Sequence, residues 1–253
     1  MTAGSFEKFA AWWDAAVGEE GDEYHRHFIL PALLRSAGPL EGVSVVDLGC
    51  GNGASSRHLA RAGGKVTGVD ISETLITLAR EREQANPRGI EYVVSDIAGI
   101  TALPDETFDR ATANMVLMDV ENCAGAIAEA SRLLKPGGRF IATLFHPCFQ
   151  VPDGSSWLEE TVDFDTRYSR RVWRYLEVFS ASGIAKPNQP EQQTYYHRPL
   201  SWYAGHLVKA GLLIDCLDEP MPDTDFAERR PDVIKRFTAA PFLLVLGAQK
   251  VST

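Results

Sequence analysis

The chain has few cysteines, and their spacing excludes two common ways of holding a protein together. Among 253 residues there are four, at scattered positions: Cys50, Cys123, Cys148 and Cys216. This spacing matches neither a disulfide framework nor the paired Cys and His ligands of a zinc site. We therefore expect reduced thiols and no catalytic metal.

Long apolar runs and an excess of basic residues are also missing. No stretch reaches membrane-spanning length, and the N-terminus lacks the apolar centre of a signal peptide. The formal net charge is −9, which disfavours tight binding to a phosphate backbone. We expect a cytoplasmic protein with neither nucleic acid nor membrane as partner. Residues 167–175 interleave arginines with aromatics, and a solvated strand face or a subunit contact in a homodimer explains them better than RNA does.

The most informative stretch is residues 43–56, VSVVDLGCGNGASS. An apolar strand leads to Asp47 and is followed by three alternating glycines, Gly49, Gly51 and Gly53, and then by a helix start. Glycine permits a sharp turn and lets bare backbone approach a ligand, while the helix start presents free N–H groups. The pattern predicts a ligand-binding loop at the carboxyl end of a parallel strand.

Two acids distinguish between the ligands that such a loop could bind, because the loop also fits the dinucleotide fingerprint. Asp47 comes just before the first glycine, where a carboxylate would repel a pyrophosphate but suits an ammonium group. Asp70 ends a second apolar strand and is placed to accept hydrogen bonds from a ribose diol. A ribose with a cationic end fits S-adenosylmethionine better than NAD.

Four motifs resemble those of the class I S-adenosylmethionine-dependent methyltransferases, in the family's order and spacing. They are residues 45–53, residues 66–72, Phe108-Asp109 and the LLKPGGRF run at 133–140. The resemblance is strong over roughly residues 40–145 and implies S-adenosyl-L-methionine as cofactor. It also implies a doubly wound, Rossmann-like α/β fold with a mostly parallel seven-stranded sheet. By the same resemblance the last strand is antiparallel. In this chain we also expect helices before the core and a cap inserted after the fifth strand, where the α/β rhythm breaks.

The expected cofactor contacts follow from this resemblance and from the strand ends. Tyr24, with His25 or Arg26 nearby, would touch the cofactor's carboxylate end, and Asp96 would bond the adenine amino group. The carbonyl of Asn114 would accept from the ammonium group. The full predicted set is Tyr24, Asp47, Gly49, Cys50, Gly51, Asn52, Gly53, Asp70, Ile71, Ser95, Asp96, Ile97 and Asn114.

Hydrophobic periodicity and the family resemblance together divide the chain into four predicted parts. Residues 1–39 form an N-terminal helical lid, with helices over 5–17 and 24–37, although packing of the first helix on the core is the simpler alternative. Residues 40–145 form the α/β core that binds the cofactor. Residues 146–198 form the cap, and residues 199–253 complete the core with a helix and two strands. Predicted core strands cover 43–48, 65–70, 90–95, 108–114, 139–145, 212–217 and 242–248, and predicted core helices 54–62, 72–86, 122–134 and 200–210.

The cap is rich in aromatic residues, which a flexible linker would not be. Its aromatics are Phe149, Trp157, Phe164, Tyr168, Trp173, Tyr175, Phe179, Tyr195 and Tyr196. Alternation over residues 171–179 predicts a strand there. The segment could cover the active-site mouth, form an oligomer interface, or do both. Of its aromatics we expect Trp157, Trp173, Tyr195 and Tyr196 to contact the substrate.

Two histidines are candidates for a general base. His146 follows the fifth strand, and His197 lies where the cap rejoins the core. For both, a histidine satisfied by local backbone is the alternative. The predicted function is transfer of a methyl group to an oxygen, nitrogen or carbon atom of a small organic acceptor. An NAD-dependent oxidoreductase and a non-catalytic S-adenosylmethionine-binding protein are the alternatives.

Overall fold

The centre of the molecule is a seven-stranded sheet. The computed structural model describes residues 4–163 and 165–251, so Phe164, one of the predicted cap aromatics, lies outside the described residues. The strands of the sheet are β1 (Ser44–Leu48), β2 (Lys65–Asp70), β3 (Glu91–Val94), β4 (Phe108–Asn114), β5 (Leu134–Phe145), β10 (Leu212–Asp218) and β11 (Leu243–Lys250). Two separate hairpins pair β6 (Ser155–Val162) with β7 (Asp165–Val172) and β8 (Phe179–Gly183) with β9 (Gln193–His197).

Strand order confirms the predicted fold class. The order across the sheet is β10-β11-β5-β4-β1-β2-β3, and β1 to β5 run parallel to one another. The last strand, β11, lies between β5 and β10 and is antiparallel to both. After β3 the chain crosses back over the sheet and adds β4 on the other side of β1. Because the strand order reverses at this point, the carboxyl ends of β1 and β4 flank a crevice for a ligand.

Nine α-helices lie among the described residues and cover the sheet. They are α1 (Gly4–Glu7), α2 (Ala10–Val17), α3 (Leu30–Ala37), α4 (Ala54–Arg61), α5 (Glu73–Ala85), α6 (Cys123–Leu133), α7 (Leu200–Lys209), α8 (Thr224–Arg229) and α9 (Pro231–Ala239). A π-helical turn, His25–Ile29, leads directly into α3. Ser72 caps the start of α5, since its Oγ accepts from the backbone N–H of Leu75.

Alternation along the strands divides the apolar core between the two faces of the sheet. Val46 and Leu48 of β1 pack on one face with Phe140 of β5, in the cluster that α6 and α7 cover. Val45 and Ile141 belong to the opposite cluster, with residues of α3, α4 and α5. All are buried from solvent, as both faces of a parallel sheet require.

Three local predictions were wrong. The helix predicted over 5–17 is interrupted between α1 and α2, and α8 and α9 occupy residues that were not predicted to be helical. Residues 173–178 form a turn where alternation predicted a strand, and the Glu177 N–H donates to the Arg174 carbonyl. Leu176 and Val178 are 78% and 60% exposed, so the alternating pattern buried no apolar face there.

The N-terminal helices are attached to the core by charged hydrogen bonds. Arg82 of α5 donates from both terminal nitrogens to Asp14 of α2, at 2.6 and 2.7 Å. Asn52 of the glycine loop donates to the same carboxylate at 2.8 Å. Although burial opposes ionisation, Arg82 and Asn52 hold the pKa of Asp14 below its usual value.

No helix in the described part of the chain is long and apolar enough to cross a membrane.

We expect Arg82→Met to loosen the N-terminal helices while the sheet stays intact. Loss of a half-buried bidentate pair should lower the free energy of unfolding by roughly 1–2 kcal/mol, because Asp14 keeps only its bond from Asn52. Hydrogen exchange should accelerate over residues 10–17. Arg88→Met, which changes an exposed arginine, is the control. Unchanged exchange over residues 10–17 would show that the pair does not hold the segment.

Candidate active site

The glycine loop after β1 has the backbone that its sequence predicts. Gly49, Gly51 and Gly53 all have positive φ, at 71°, 54° and 80°. A Cβ on Gly49 would lie 2.4 Å from Cγ2 of Val116, and one on Gly53 would lie 2.4 Å from the Tyr92 hydroxyl. Neither position can hold another residue without both strain and a clash. Gly53 is also the residue from which α4 begins.

Asp47 lies beneath this loop, with its side chain away from the cavity. One carboxylate oxygen accepts from Ser55 and Ser56 of α4, each at 2.7 Å, and the other accepts from Thr112 of β4 at 2.8 Å. The residue is fully buried, and burial raises the pKa of its carboxyl. Asp47 therefore joins β1, α4 and β4, and the structure does not bring it to the ligand side of the loop.

Asp70 lies on the ligand side of the loop. Its Oδ2 accepts from the Gly51 N–H at 2.8 Å, and its Oδ1 accepts from the Ser72 N–H at 2.9 Å. The carboxylate keeps further lone pairs for a ligand, since each oxygen accepts two hydrogen bonds. Burial raises its pKa.

A cavity of about 670 Å³ opens beyond the loop. Its floor is formed by the loop and the ends of β2, β4 and β5, where open α/β sheets bind ligands. The N-terminal segment, both hairpins and α9 supply the other walls. The predicted cofactor residues that line it are Tyr24, Gly49, Cys50, Gly51, Asn52, Asp70 and Asn114.

The remaining predicted cofactor residues do not line this cavity. Asp96 is exposed and accepts from the Ala98 N–H at 2.9 Å, as a turn acid does, while Ile97 is buried in the core. Ile71 directly follows β2 and Ser95 directly follows β3, at the carboxyl edge of the sheet. Helix α1 docks beside that edge, because Glu7 accepts from Ser72 Oγ at 2.5 Å and from Thr74.

Both predicted bases lie outside the cavity. His146 is buried, with its Nε2 2.7 Å from a carboxylate oxygen of Glu219 and its Nδ1 accepting from the Cys148 N–H. His197 has its Nε2 2.8 Å from the Tyr175 carbonyl. Burial lowers the pKa of both imidazoles. The Nδ1 of His146 and the Nε2 of His197 bond to backbone groups, and the Nε2 of His146 pairs with an acid 73 residues away. Because all these partners lie outside the cavity, the geometry gives neither histidine a base role.

Of the four aromatic residues predicted to contact the substrate, two line the cavity and two do not. Trp157 and Tyr195 line the cavity. Trp173 is 54% exposed and does not. Tyr196 packs against the Arg198 guanidinium outside the cavity. The turn at 173–178 explains the first exception, because Trp173 leaves the strand register that would have directed it inward.

Several cavity residues were missed by the sequence analysis. Asp22 lies 2.7 Å from Nδ1 of His25 and also pairs with Lys186, which comes from the turn between β8 and β9. These two partners hold the pKa of Asp22 well below its usual value although burial opposes this. Asp119, in the loop after β4, is a buried acid on the cavity wall.

Helices α8 and α9 were missed with the residues that they place at the cavity. Arg230, Val233, Arg236 and Phe237 line it. Two sequence signals could have found these helices: Asp223, whose side chain accepts from the Phe226 N–H, and Pro231 in the first turn of α9.

The polar groups that line the cavity fit a nucleoside with a cationic end. Asp70 offers an acid for a ribose, and Asn114 lies at the end of β4. The loop itself carries no cationic side chain for a phosphate. These features define an α/β protein that binds a ligand at its switch point.

Comparison with known proteins shows similarity to methyltransferases. Residues 46–142 match the methyltransferase domain family. A ubiquinone biosynthesis O-methyltransferase of Xanthomonas oryzae pv. oryzae is 34% identical over 146 residues, which is 54% of this chain and 59% of that protein. A demethylmenaquinone methyltransferase of Tropheryma whipplei is 38% identical over 117 residues, 46% of this chain and 48% of that protein. The chain thus spans about half the length of the curated relatives that it matches.

A solved structure matches over more of the chain. An S-adenosylmethionine-dependent methyltransferase from Mesorhizobium loti has a TM-score of 0.71 and 28% identity, covering 87% of this chain and 96% of that one. Sequence and fold are therefore similar to those of S-adenosylmethionine-dependent methyltransferases.

We expect Asp47→Ala to destabilise the whole fold. Three buried hydroxyls would lose their acceptor, which should cost about 3 kcal/mol in urea unfolding. Asp47→Asn keeps the volume and one carbonyl acceptor and should cost less. A loss below about 1 kcal/mol in the alanine variant would contradict the anchoring role.

Proposed function

We propose that the protein is an S-adenosylmethionine-dependent methyltransferase that acts on a small organic acceptor. The observation that carries the proposal is the size and lining of the cavity. It begins at the glycine loop and Asp70 and continues to an aromatic wall formed by Phe145, Tyr195 and Phe242. Its volume of about 670 Å³ lies in the range of small-molecule sites.

The two alternatives are less well supported. An NAD-dependent oxidoreductase would have an all-parallel sheet in which nothing is inserted antiparallel to β5, whereas β11 lies there. A non-catalytic binding protein would have bulky side chains filling the acceptor side. The open cavity beyond Asn114 and Met118 favours an enzyme.

When bound, S-adenosylmethionine supplies a methyl group on a sulfonium, which a nucleophile displaces in line. The chain's own residues hold the partners in position and exclude water. Asp70 would orient the ribose, and the carbonyl of Asn114 would accept from the ammonium group. Tyr24 packs against Phe226 and Phe242, with ring centroids 5.2 and 6.2 Å away, and would close one side.

We further propose that the N-terminal segment and the hairpins act as lid and cap. Phe6, Trp13 and Val17 line the cavity from the first, and Trp157 and Lys186 from the second. The ion pair of Asp22 with Lys186 joins the two. Cytoplasmic location and formation of a homodimer stay predictions from the sequence.

We expect Asp70→Asn to weaken binding of S-adenosylhomocysteine by at least about tenfold, because a charged acceptor is lost. Isothermal titration calorimetry measures this directly. Asp109→Asn is the matched control: Asp109 lies at the opposite end of the sheet, paired with Lys135, and binding should be unchanged. Failure of the unaltered protein to bind S-adenosylhomocysteine at high concentration would overturn the proposed function.

A further inference from the structure

The loop after β4 carries a buried acid, Asp119, on the wall of the cavity. Asp119 is 8% exposed and lines the cavity. Gln193 of β9, itself 3% exposed, donates from Nε2 to its Oδ1 at 3.2 Å. Within residues 4–163 and 165–251, Oδ2 of Asp119 accepts no hydrogen bond, and it is not among the polar atoms sealed from solvent. Its remaining lone pairs therefore face the cavity.

Among the described residues, no cationic side chain forms an ion pair with the carboxyl of Asp119. Burial raises the pKa of Tyr195 of β9 and of Tyr203 of α7, and the charge of Asp119 adds to the rise in both. Arg198 binds the same loop, but its guanidinium donates to the carbonyls of Leu117, Val120 and Glu121. Burial raises the pKa of Asp119 to about 8, and the bond from Gln193 opposes the rise.

A carboxyl with these properties is matched to one kind of acceptor. An ordinary carboxylate is too weak a base to take a proton from a phenol or enol, whereas a buried one approaches the required basicity. The surrounding wall is flat and apolar, with Tyr195 and Phe145 at a centroid distance of 6.2 Å and Met118 beside Asp119. Such a wall suits an aromatic or enolic ring.

We propose that Asp119, positioned by Gln193, accepts the hydroxyl proton of a phenolic or enolic acceptor. The acceptor O–H bond breaks and its proton passes to Oδ2 of Asp119. The new bond to the methyl carbon forms while the carbon–sulfur bond breaks, and that electron pair stays on sulfur. The inference rests on the proposed function, and it assigns Asp119 as the catalytic residue and Gln193 as a positioning residue.

The first test is independent of turnover. Carbon-13 NMR of protein labelled at the aspartate carboxyls should show one group titrating near pH 8 that is absent in Asp119→Asn. In Gln193→Leu its midpoint should move to higher pH, because a donor that favours the carboxylate is removed. Titration of that resonance below about pH 5 in the unaltered protein would overturn the proposal.

Stability gives a second readout with a definite sign. The folded-state pKa of Asp119 lies above the unfolded one, so the folded protein binds the extra proton between about pH 4 and 8, and its stability falls as pH rises through that window. Asp119→Asn should therefore gain Tm relative to the unaltered protein as pH rises from 5 to 9, by at least ~3 °C. A difference in Tm that does not depend on pH would contradict the assignment.

Turnover completes the test, with catechol and 1-naphthol as probe acceptors and S-adenosylhomocysteine release as the signal. The rate should rise with pH through about 8, and Asp119→Asn should lower kcat at least ~100-fold. Asp218→Asn, an exposed acid in β10, is the matched control and should change nothing. The inference fails if neither probe is methylated, or if Asp119→Asn keeps kcat within about threefold.

Cofactor binding separates this failure from failure of the proposed function. Asp119→Asn should bind S-adenosylhomocysteine within about twofold of the unaltered protein, because Asp70 and the glycine loop are unchanged. Retained binding with no phenol methylation overturns only the inference about Asp119. Absent binding in the unaltered protein overturns both proposals.

Discussion

The buried carboxylate of Asp47 is the interaction on which the site depends. It accepts from two serines at the start of α4 and from Thr112 of β4, so one side chain joins two strands of the sheet and the helix that follows the loop. The glycine loop spans the same junction on its outer side. Because the helix start is held from below, the loop can present its backbone and Asp70 to a ligand without moving.

The rest of the cavity is assembled from parts of the chain that are far apart in sequence. Asp14 and Asn52 connect the N-terminal helices to the loop, and Asp22 with Lys186 connects that segment to the second hairpin. Phe237 stacks on Phe242 at 4.8 Å, which joins α9 to the start of the last strand. The floor is therefore rigid sheet, while the walls come from segments whose polar contacts can break one at a time.

The sheet and the floor of the site were predictable because their signals are local. Apolar strands ending in Asp47 and Asp70, with glycines between them, specify two strands and the tight loop that follows the first. Lys135 and Asp109, which both belong to the family motifs, form an ion pair at 2.8 Å. The walls were less predictable. Asp22 and Asp119 are unremarkable in sequence, and only tertiary packing buries Asp119 beside Gln193, 74 residues away. His146 was misjudged for the same reason, since its partner Glu219 is distant in sequence.

A crystal structure with S-adenosylhomocysteine and a bound phenol would test the account most directly. We expect the ribose hydroxyls to bond to the carboxylate of Asp70. We expect the phenol oxygen to face the sulfur and to lie within hydrogen-bond distance of Oδ2 of Asp119. Asp47 should stay bonded to Ser55, Ser56 and Thr112, with no ligand contact. A ribose bound away from Asp70, or a phenol oxygen remote from Asp119, would contradict it.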